Sequence, residues 1–334
     1  MTFQSRELKQ TASAKLQNAP KQKEIILLYS AITLGVSCLS LVLQALVSSQ
    51  ISNTGGLANM GSRSFLSAIV NFLPVVSMLV SLCLGFGYTG GMLRISRGQY
   101  ASRNALKTGI ERFWPLVRLK LLQGAILTAV GIGSSYLATL IFLASPLSDS
   151  FTATLDPLVS GGSLLSGTGA TLQLDDSTIG ALYGAAAPLI VIFLIVGAAF
   201  AVPMLYKYRM ADFVLLDHPG AGAMYAMRES RMMMRGSRFG LFRLDLSFWW
   251  YYVLSLLANI LAYGDVLLPM LGLTLPFGDT FAYFFFYALS LGANFALLYC
   301  VYNKLNVTYA LAYNQLKPKE EPSGGAVLGN IFQM

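Results

Sequence analysis

Six long uncharged apolar stretches punctuate the chain, at 25–47, 65–93, 121–144, 179–206, 246–263 and 280–303. About 20 apolar residues in helical form cross the roughly 30 Å of bilayer hydrocarbon, so each stretch predicts a transmembrane helix. The fifth is the shortest, an 18-residue stretch flanked by Asp245 and Asp265. The second and fourth are long enough to tilt, and Pro74, Pro188 and Pro203 predict kinks within them. The polar intervals have a different rhythm. In the second, Leu106, Ile110, Phe113 and Val117 recur at helical spacing, while Arg103, Lys107 and Glu111 occupy another face. Trp114 suits the headgroup level. That pattern predicts an amphipathic helix lying in the interface over 102–114. Before the first stretch, Leu8, Ala12, Leu16 and Ala19 form a weaker stripe. In the fourth interval Ala223, Met227, Ser230 and Met234 form one face of a helix over 222–235, and Arg228, Arg231, Arg235 and Arg238 form a basic stripe on another.

Each of these amphipathic segments ends at a breaker, Pro20, Pro115 or Gly240, followed by charge and then by an apolar stretch. The breakers lie 95 and 125 residues apart, and longer intervals account for the difference. The arrangement predicts three copies of one unit, at 1–93, 94–206 and 207–316, each an interfacial helix followed by a transmembrane hairpin. The expected fold is all-α: a polytopic membrane protein of six transmembrane helices in three hairpins, each preceded by a cytoplasmic interfacial helix. Residues 1–316 form one membrane domain in this reading. The tail 317–334, opening on Lys317-Pro318-Lys319-Glu320-Glu321-Pro322, reads as a disordered cytoplasmic extension.

Composition agrees with the pattern. Hydrophobic residues make up 55% of the 334 and charged residues 11%, where soluble domains carry about 25% charged. So few charges cannot cover a soluble fold of this size, which excludes an ordinary cytosolic enzyme and a disordered chain. The net charge of +8 would suggest nucleic acid in a soluble protein. Here its distribution decides otherwise, and no nucleic-acid partner is expected. Of the 23 Lys and Arg, 22 fall in the N-terminal segment, the second and fourth intervals and the C-terminal segment, and Arg63 alone falls on the other side. Basic residues resist translocation, so both termini are placed in the cytoplasm and the number of spans is even. The N-terminal stretch, with 23 apolar residues, is too long for a signal-peptide core and reads as a retained anchor.

Candidate chemistry is sparse. One histidine, His218, beside Asp217 and Pro219, makes neither a metal centre nor a catalytic relay, and no cofactor or metal is expected. Cys38, Cys83 and Cys300 lie within apolar stretches and read as small buried hydrophobes. The run Gly85-Phe86-Gly87-Tyr88-Thr89-Gly90 fits a dinucleotide-binding pattern but has no strand before it. Gly87 with Gly91, and Gly180 with Gly184, instead have the spacing of close helix packing. The polar groups at membrane depth are Gln44, Asn71, Gln123, Asn259 and Asn294, and interhelical hydrogen bonding is their expected role. No charge lies deep in a span, which argues against an ion pump. The outer interval 145–178 carries Asp149, Asp156, Asp175 and Asp176 without the spacing of a calcium loop, and reads as a solvated loop. The apolar run 266–276 is too short to span.

In the fourth interval Leu216-Asp217-His218-Pro219 precedes a helix closing on Ser230, Met234 and Gly236, and Leu241-Phe242-Arg243-Leu244-Asp245-Leu246-Ser247-Phe248 leads into the fifth stretch. With Gly85–Arg97 and Tyr309-Ala310-Leu311-Ala312-Tyr313, these runs resemble a bacterial integral membrane family catalogued as domain-of-unknown-function family 975. The resemblance covers most of the chain. Trp249-Trp250-Tyr251-Tyr252 departs from the Gly-Trp usual there. It implies a multi-pass protein of the bacterial cytoplasmic membrane and no particular activity. The expectation is a non-enzymatic membrane protein that contacts anionic lipid through Arg228, Arg231, Arg235, Arg238, Arg103, Lys107 and Trp114. A transporter or a handler of lipids or amphiphiles is one alternative. A scaffold for an envelope or stress-response partner is another.

Overall fold

The structure is a computed structural model, and it describes residues 5–18, 22–53, 60–101, 103–160, 176–270 and 278–317. Among these the chain is helical without strands. It divides into two compact units, one formed by Met1–Arg118 with Met210–Met334, the other by Leu119–Arg209.

The first unit opens with α1 (Ser5–Gln17), α2 (Gln22–Asn53) and α3 (Met60–Ser96). Glu7 and Glu24 sit in the first turns of α1 and α2, where a negative charge meets the positive end of the helix dipole. The 37 residues of α3 span about 55 Å at 1.5 Å per residue, more than hydrocarbon alone requires. Leu8 and Ala12 of the α1 stripe are buried, and Leu16 packs beside them; Ala19 lies outside the described residues.

Where a single interfacial helix is expected over 102–114, the chain makes a 3₁₀ turn (Arg103–Lys107), one α turn, α4 (Thr108–Glu111), and a break at Arg112. Contact with α3 is the physical reason. A Cβ on Gly109 would lie 1.8 Å from the Cys83 carbonyl oxygen, and one on Gly87 would lie 2.5 Å from the Leu106 carbonyl oxygen. The two backbones therefore touch, and a regular amphipathic helix with a full row of side chains has no room. Ala105, Leu106 and Gly109 are buried in this crossing, whereas Ile110 and Trp114 are exposed. Pro115 falls in the first turn of α5 (Phe113–Leu143), where its missing N–H costs nothing.

Beyond the second unit, the first continues with α8 (Ala211–Asp217), α9 (Ala223–Met233), α10 (Arg238–Leu246), α11 (Trp249–Leu261) and α12 (Gly264–Met270). The chain closes with α13 (Asp279–Leu297), a π turn (Leu298–Tyr302) and α14 (Asn303–Leu316). Gly236 has φ +86°, the left-handed region that favours glycine, and this lets the chain turn from α9 into α10. The fifth apolar stretch is broken: α10 and α11 meet at 60°. At the break the Ser247 hydroxyl donates to the Leu244 carbonyl, and the Ser247 carbonyl accepts from Lys9 Nζ at 2.6 Å.

The core of this unit joins Ala12 of α1, Ile25, Ile26 and Tyr29 of α2, Leu84, Tyr88, Met92 and Ile95 of α3, and Val307 of α14. Tyr29 and Tyr88 stack at 4.4 Å between ring centroids, and Tyr302, in the π turn, stacks on Tyr88 at 5.8 Å. The Tyr88 hydroxyl donates to Asn303 Oδ1, so a buried phenol finds an acceptor in the first turn of α14.

The second unit holds most of α5, then α6 (Leu147–Ser160) and α7 (Asp176–Lys207). The outer interval read as loop is thus helical over α6, held partly by Phe151 set edge-on to Phe142 at 5.7 Å. Asp149 and Asp156 lie on this helix, Asp176 begins α7, and Asp175 is outside the described residues. Pro188 and Pro203 are carried inside α7.

Four helices among the described residues are long and apolar enough to cross a membrane, and the bent α10–α11 pair makes a fifth if taken as one span. Their surfaces bear this out: Leu121, Leu194 and Ile195 are each more than 60% exposed. Apolar patches of that extent on a folded chain mark contact with lipid or protein. The described part of α2 contributes a shorter apolar helix, Glu24–Ser40. The run 271–276 and the tail 318–334 lie outside the described residues. Cys83 is buried as expected, but Cys38 is half-buried and Cys300 exposed, because Cys300 points outward from the π turn.

Candidate functional site

Basic residues of the polar segments fall into two groups once their partners are known. The first group has partners within the fold. Arg97 Nη1 donates to Asp217 Oδ1 at 2.7 Å, Lys317 Nζ reaches Asp217 Oδ2 at 3.0 Å, and the Tyr313 hydroxyl donates to that same oxygen at 3.1 Å. Arg97 Nε also donates to Asn314 Oδ1 at 3.1 Å, and Asn314 Nδ2 to the Ser96 hydroxyl at 2.9 Å. One carboxylate thereby ties the ends of α3, α8 and α14. Burial by itself pushes the Asp217 carboxyl up. The hydrogen bonds and charges of Arg97 and Lys317 outweigh that and hold it well below the usual carboxylate range. Arg112 Nη1 donates to the Leu215 and Leu216 carbonyls at 2.8 and 3.2 Å, neutralising the negative end of α8. Arg103 pairs with Glu24 of α2 at 3.0 Å. Lys9 lies 4.0 Å from the Phe248 ring centre, and desolvation together with Lys304 lowers its pKa.

The second group is different. Arg228 and Arg231 of α9, and Arg235 just beyond it, are exposed and have no partner among the described residues. The packing face of α9 is Ala223, Ala226, Met227 and Ser230, with Met234 following. At 100° per residue, Arg228 and Arg231 lie about 140° and 80° round α9 from Ala223, flanking the packing face, and Arg235 follows in the turn after α9, so the four arginines expected as one stripe are not carried on a single helix. They are not alone. Met224 is 72% exposed and Met232 53%, and Tyr225 is exposed between them. At the start of α10 Phe239 is 76% exposed. Arg238 is half-buried, and its Nε is enclosed with no hydrogen-bond partner. Lys107 and Trp114 are exposed, with the Arg118 guanidinium 5.9 Å from the Trp114 ring centre. The structure therefore sets Arg228, Arg231 and Arg235 among bulky apolar neighbours, and leads into Arg238. It removes Arg103 to an ion pair.

Of the predicted packing glycines, Gly87 faces the Leu106 backbone and Gly91 makes ordinary contacts with Ala105 and Ile25. Gly180 and Gly184 have open space beside them. The intramembrane amides also separate. Asn71 and Asn259 are exposed, and Asn259 Nδ2 donates to the Ser255 carbonyl of its own helix at 2.6 Å. Gln123 Nε2 faces the Tyr208 carbonyl at 3.4 Å. The Gln44 side chain is outside the described residues. Asn294 lines a cavity of 180 Å³ between α2 and α13, together with Ser30, Thr33 and Ser37.

At the α10–α11 bend Asp245, read from the sequence as a partner for Arg243 or another arginine of its interval, meets tyrosines that this reading did not pair with it. The Tyr309 hydroxyl donates to Asp245 Oδ1, and the Tyr252 and Tyr309 hydroxyls lie 3.1 Å apart. Their signal was scarcity: an acid in so basic an interval attracts every donor within reach.

The motifs that resemble a known family are thus the segments that build the Asp217 node and the exposed arginine face. A family model described as "Protein of unknown function (DUF975)" matches residues 1–317. The chain belongs to the DUF975 family. The match takes in every helix from α1 to α14, so the whole described fold is the DUF975 unit. No curated protein and no solved structure matches this DUF975 chain.

Proposed function

We propose that this protein spans a bacterial cytoplasmic membrane six times, with both termini inside, and that the outer face of α9 and the start of α10 rest on anionic lipid of the inner leaflet. In this reading α2 is the sixth span, and the three hairpins are α2–α3, α5–α7 and the pair made by α10–α11 with α13. No catalytic step is assigned to it. The observation that carries the reading is the composition of the exposed α9 face. Arginines facing only water need no company from Met224, Met232 and Phe239, whose exposure would be unfavourable there. Arginines above lipid do, because an interfacial helix pairs charge for the headgroups with apolar side chains for the acyl boundary. Each such charge contributes on the order of 1 kcal/mol near an anionic surface, fading within about 8–10 Å at moderate salt.

The test is a variant with Arg228, Arg231, Arg235 and Arg238 all changed to Gln, purified in mild detergent and examined for retained phosphatidylglycerol and cardiolipin. Other inner basic residues preserve the orientation. The reading expects much less retention than in the parent, with the difference greatest at low salt. Equal retention in a folded variant would reduce these arginines to topology signals.

A further inference from the structure

The cavity between α2 and α13 belongs to neither the arginine face nor the Asp217 node. Ser30, Thr33, Leu34 and Ser37 of α2 meet Leu291, Asn294, Phe295 and Leu298 across it. Leu298, which also lines it, packs against the Tyr29–Tyr88 core. The π turn begins at Leu298, and π turns recur where a helix is shaped around a functional site. The 180 Å³ corresponds to about six waters at roughly 30 Å³ each, enough for a small polar headgroup.

The hydrogen bonds on its walls define what it can receive. The Ser30 hydroxyl donates to the Leu27 carbonyl at 3.0 Å, that of Thr33 to the Tyr29 carbonyl at 2.9 Å, and that of Ser37 to the Thr33 carbonyl at 3.0 Å. Asn294 Nδ2 donates to the Ser290 carbonyl at 3.0 Å. Every polar side chain in the lining thus spends a proton within its own helix. The three hydroxyls are left with oxygen lone pairs, and Asn294, with one N–H spent on Ser290, keeps its Oδ1 and a second N–H. Acceptors therefore outnumber donors on this surface, which favours a ligand that brings a hydrogen-bond donor. Among the described residues no acid or base lines it, so a charged ligand would be left uncompensated at membrane depth. Leu34, Leu291 and Phe295 offer an apolar wall for the rest of the molecule.

We propose that this cavity seats the hydroxyl headgroup of an uncharged amphiphile, a long-chain alcohol or glycerol-type lipid, with its chain along Leu34, Leu291 and Phe295. The full chain in phosphatidylcholine nanodiscs, where anionic lipid plays no part, is exposed to hexadecanol carrying a photoactivatable diazirine, and labelled peptides are mapped. Labelling is expected on peptides containing 30–37 and 291–298, and excess hexadecanol should compete it away while hexadecyl methyl ether, which lacks the donor, should not. Asn294→Leu should reduce labelling about threefold to tenfold, the value of one net hydrogen bond, while Asn259→Leu on α11 leaves it unchanged. The pair Thr33→Val with Ser37→Ala, close in shape to the parent, should give a similar loss and decides the matter if Asn294→Leu does not fold. Equal labelling by the methyl ether analogue, labelling confined to other peptides, or full labelling of the folded variants would overturn the proposal.

Discussion

Gly109 gives the sharpest test of the packing. A Cβ there would lie 1.8 Å from the Cys83 carbonyl oxygen, where a carbon–oxygen contact needs roughly 3.3 Å. The obstacle is backbone on both sides, so no rotamer change relieves it, and α4 and α3 must separate by more than 1 Å. Overpacking of that kind costs about 1–3 kcal/mol. The gain in helix propensity from alanine offsets it by no more than about 1 kcal/mol, and less in a helix of one turn. At about 2–4 °C per kcal/mol for a unit of this size, Gly109→Ala should lower the apparent Tm by roughly 5 °C. Gly124→Ala is the control. It lies within α5 with nothing inside 4 Å of its Cβ position, so it should be neutral or raise Tm by about 1–3 °C. With Cys38 and Cys300 changed to Ala, thiol-reactive fluorescence during a temperature ramp follows the opening of this crossing through Cys83, which is buried in it. An unchanged Tm for Gly109→Ala would show that α3 and the 103–111 segment do not touch as described.

Two further outcomes follow from the ion pairs and the charge distribution. Asp217 has a folded pKa below its unfolded one, so its stabilisation is complete above the unfolded value of about 3.9 and is lost as pH falls through the folded value. Apparent Tm should hold from pH 7 to about 5 and drop below about 4. Asp217→Asn should cost about 2–3 kcal/mol at neutral pH and flatten that drop; an unaltered acid profile would remove Asp217 from the account. Reporter fusions at Asp156 and Lys319 should give opposite signals, outside and inside, and matching signals would refute the six-span topology.

The α1 and α9 stripes show how far hydrophobic periodicity reaches. Leu8 with Ala12, and Ala223 with Met227, Ser230 and Met234, stand at helical spacing in the sequence and are buried together in the structure. The period of a helix and the position of its packed face are local properties. The failure over 102–114 is not local. The same spacing is present there, but Gly87 meets Leu106 and Gly109 meets Cys83 backbone to backbone, contacts between positions 19 and 26 residues apart. The α10–α11 bend is likewise unwritten in hydropathy. It depends on Ser247 turning its hydroxyl back to Leu244 and on Lys9, 238 residues away, taking the freed carbonyl. Charge counting groups the basic segments without distinguishing their members. Arg103 and Arg228 look alike in sequence and both are exposed; Glu24 on α2 pairs with the first, and the second has no partner among the described residues. Asn294 shared its expected role with Asn71 and Asn259, and only the gap left by three small hydroxyl residues on α2 sets it apart.

The central claim is that the exposed face of α9 lies on the membrane. It is tested most directly by nitroxide labels at Met224→Cys and Met232→Cys, with the three native cysteines changed to Ala, in phosphatidylglycerol nanodiscs. The account predicts that dissolved oxygen relaxes both labels more strongly than a water-soluble nickel chelate, and that changing the four arginines to Gln reverses this preference. Labels as open to nickel as a free nitroxide in water, with the arginines in place, would contradict it.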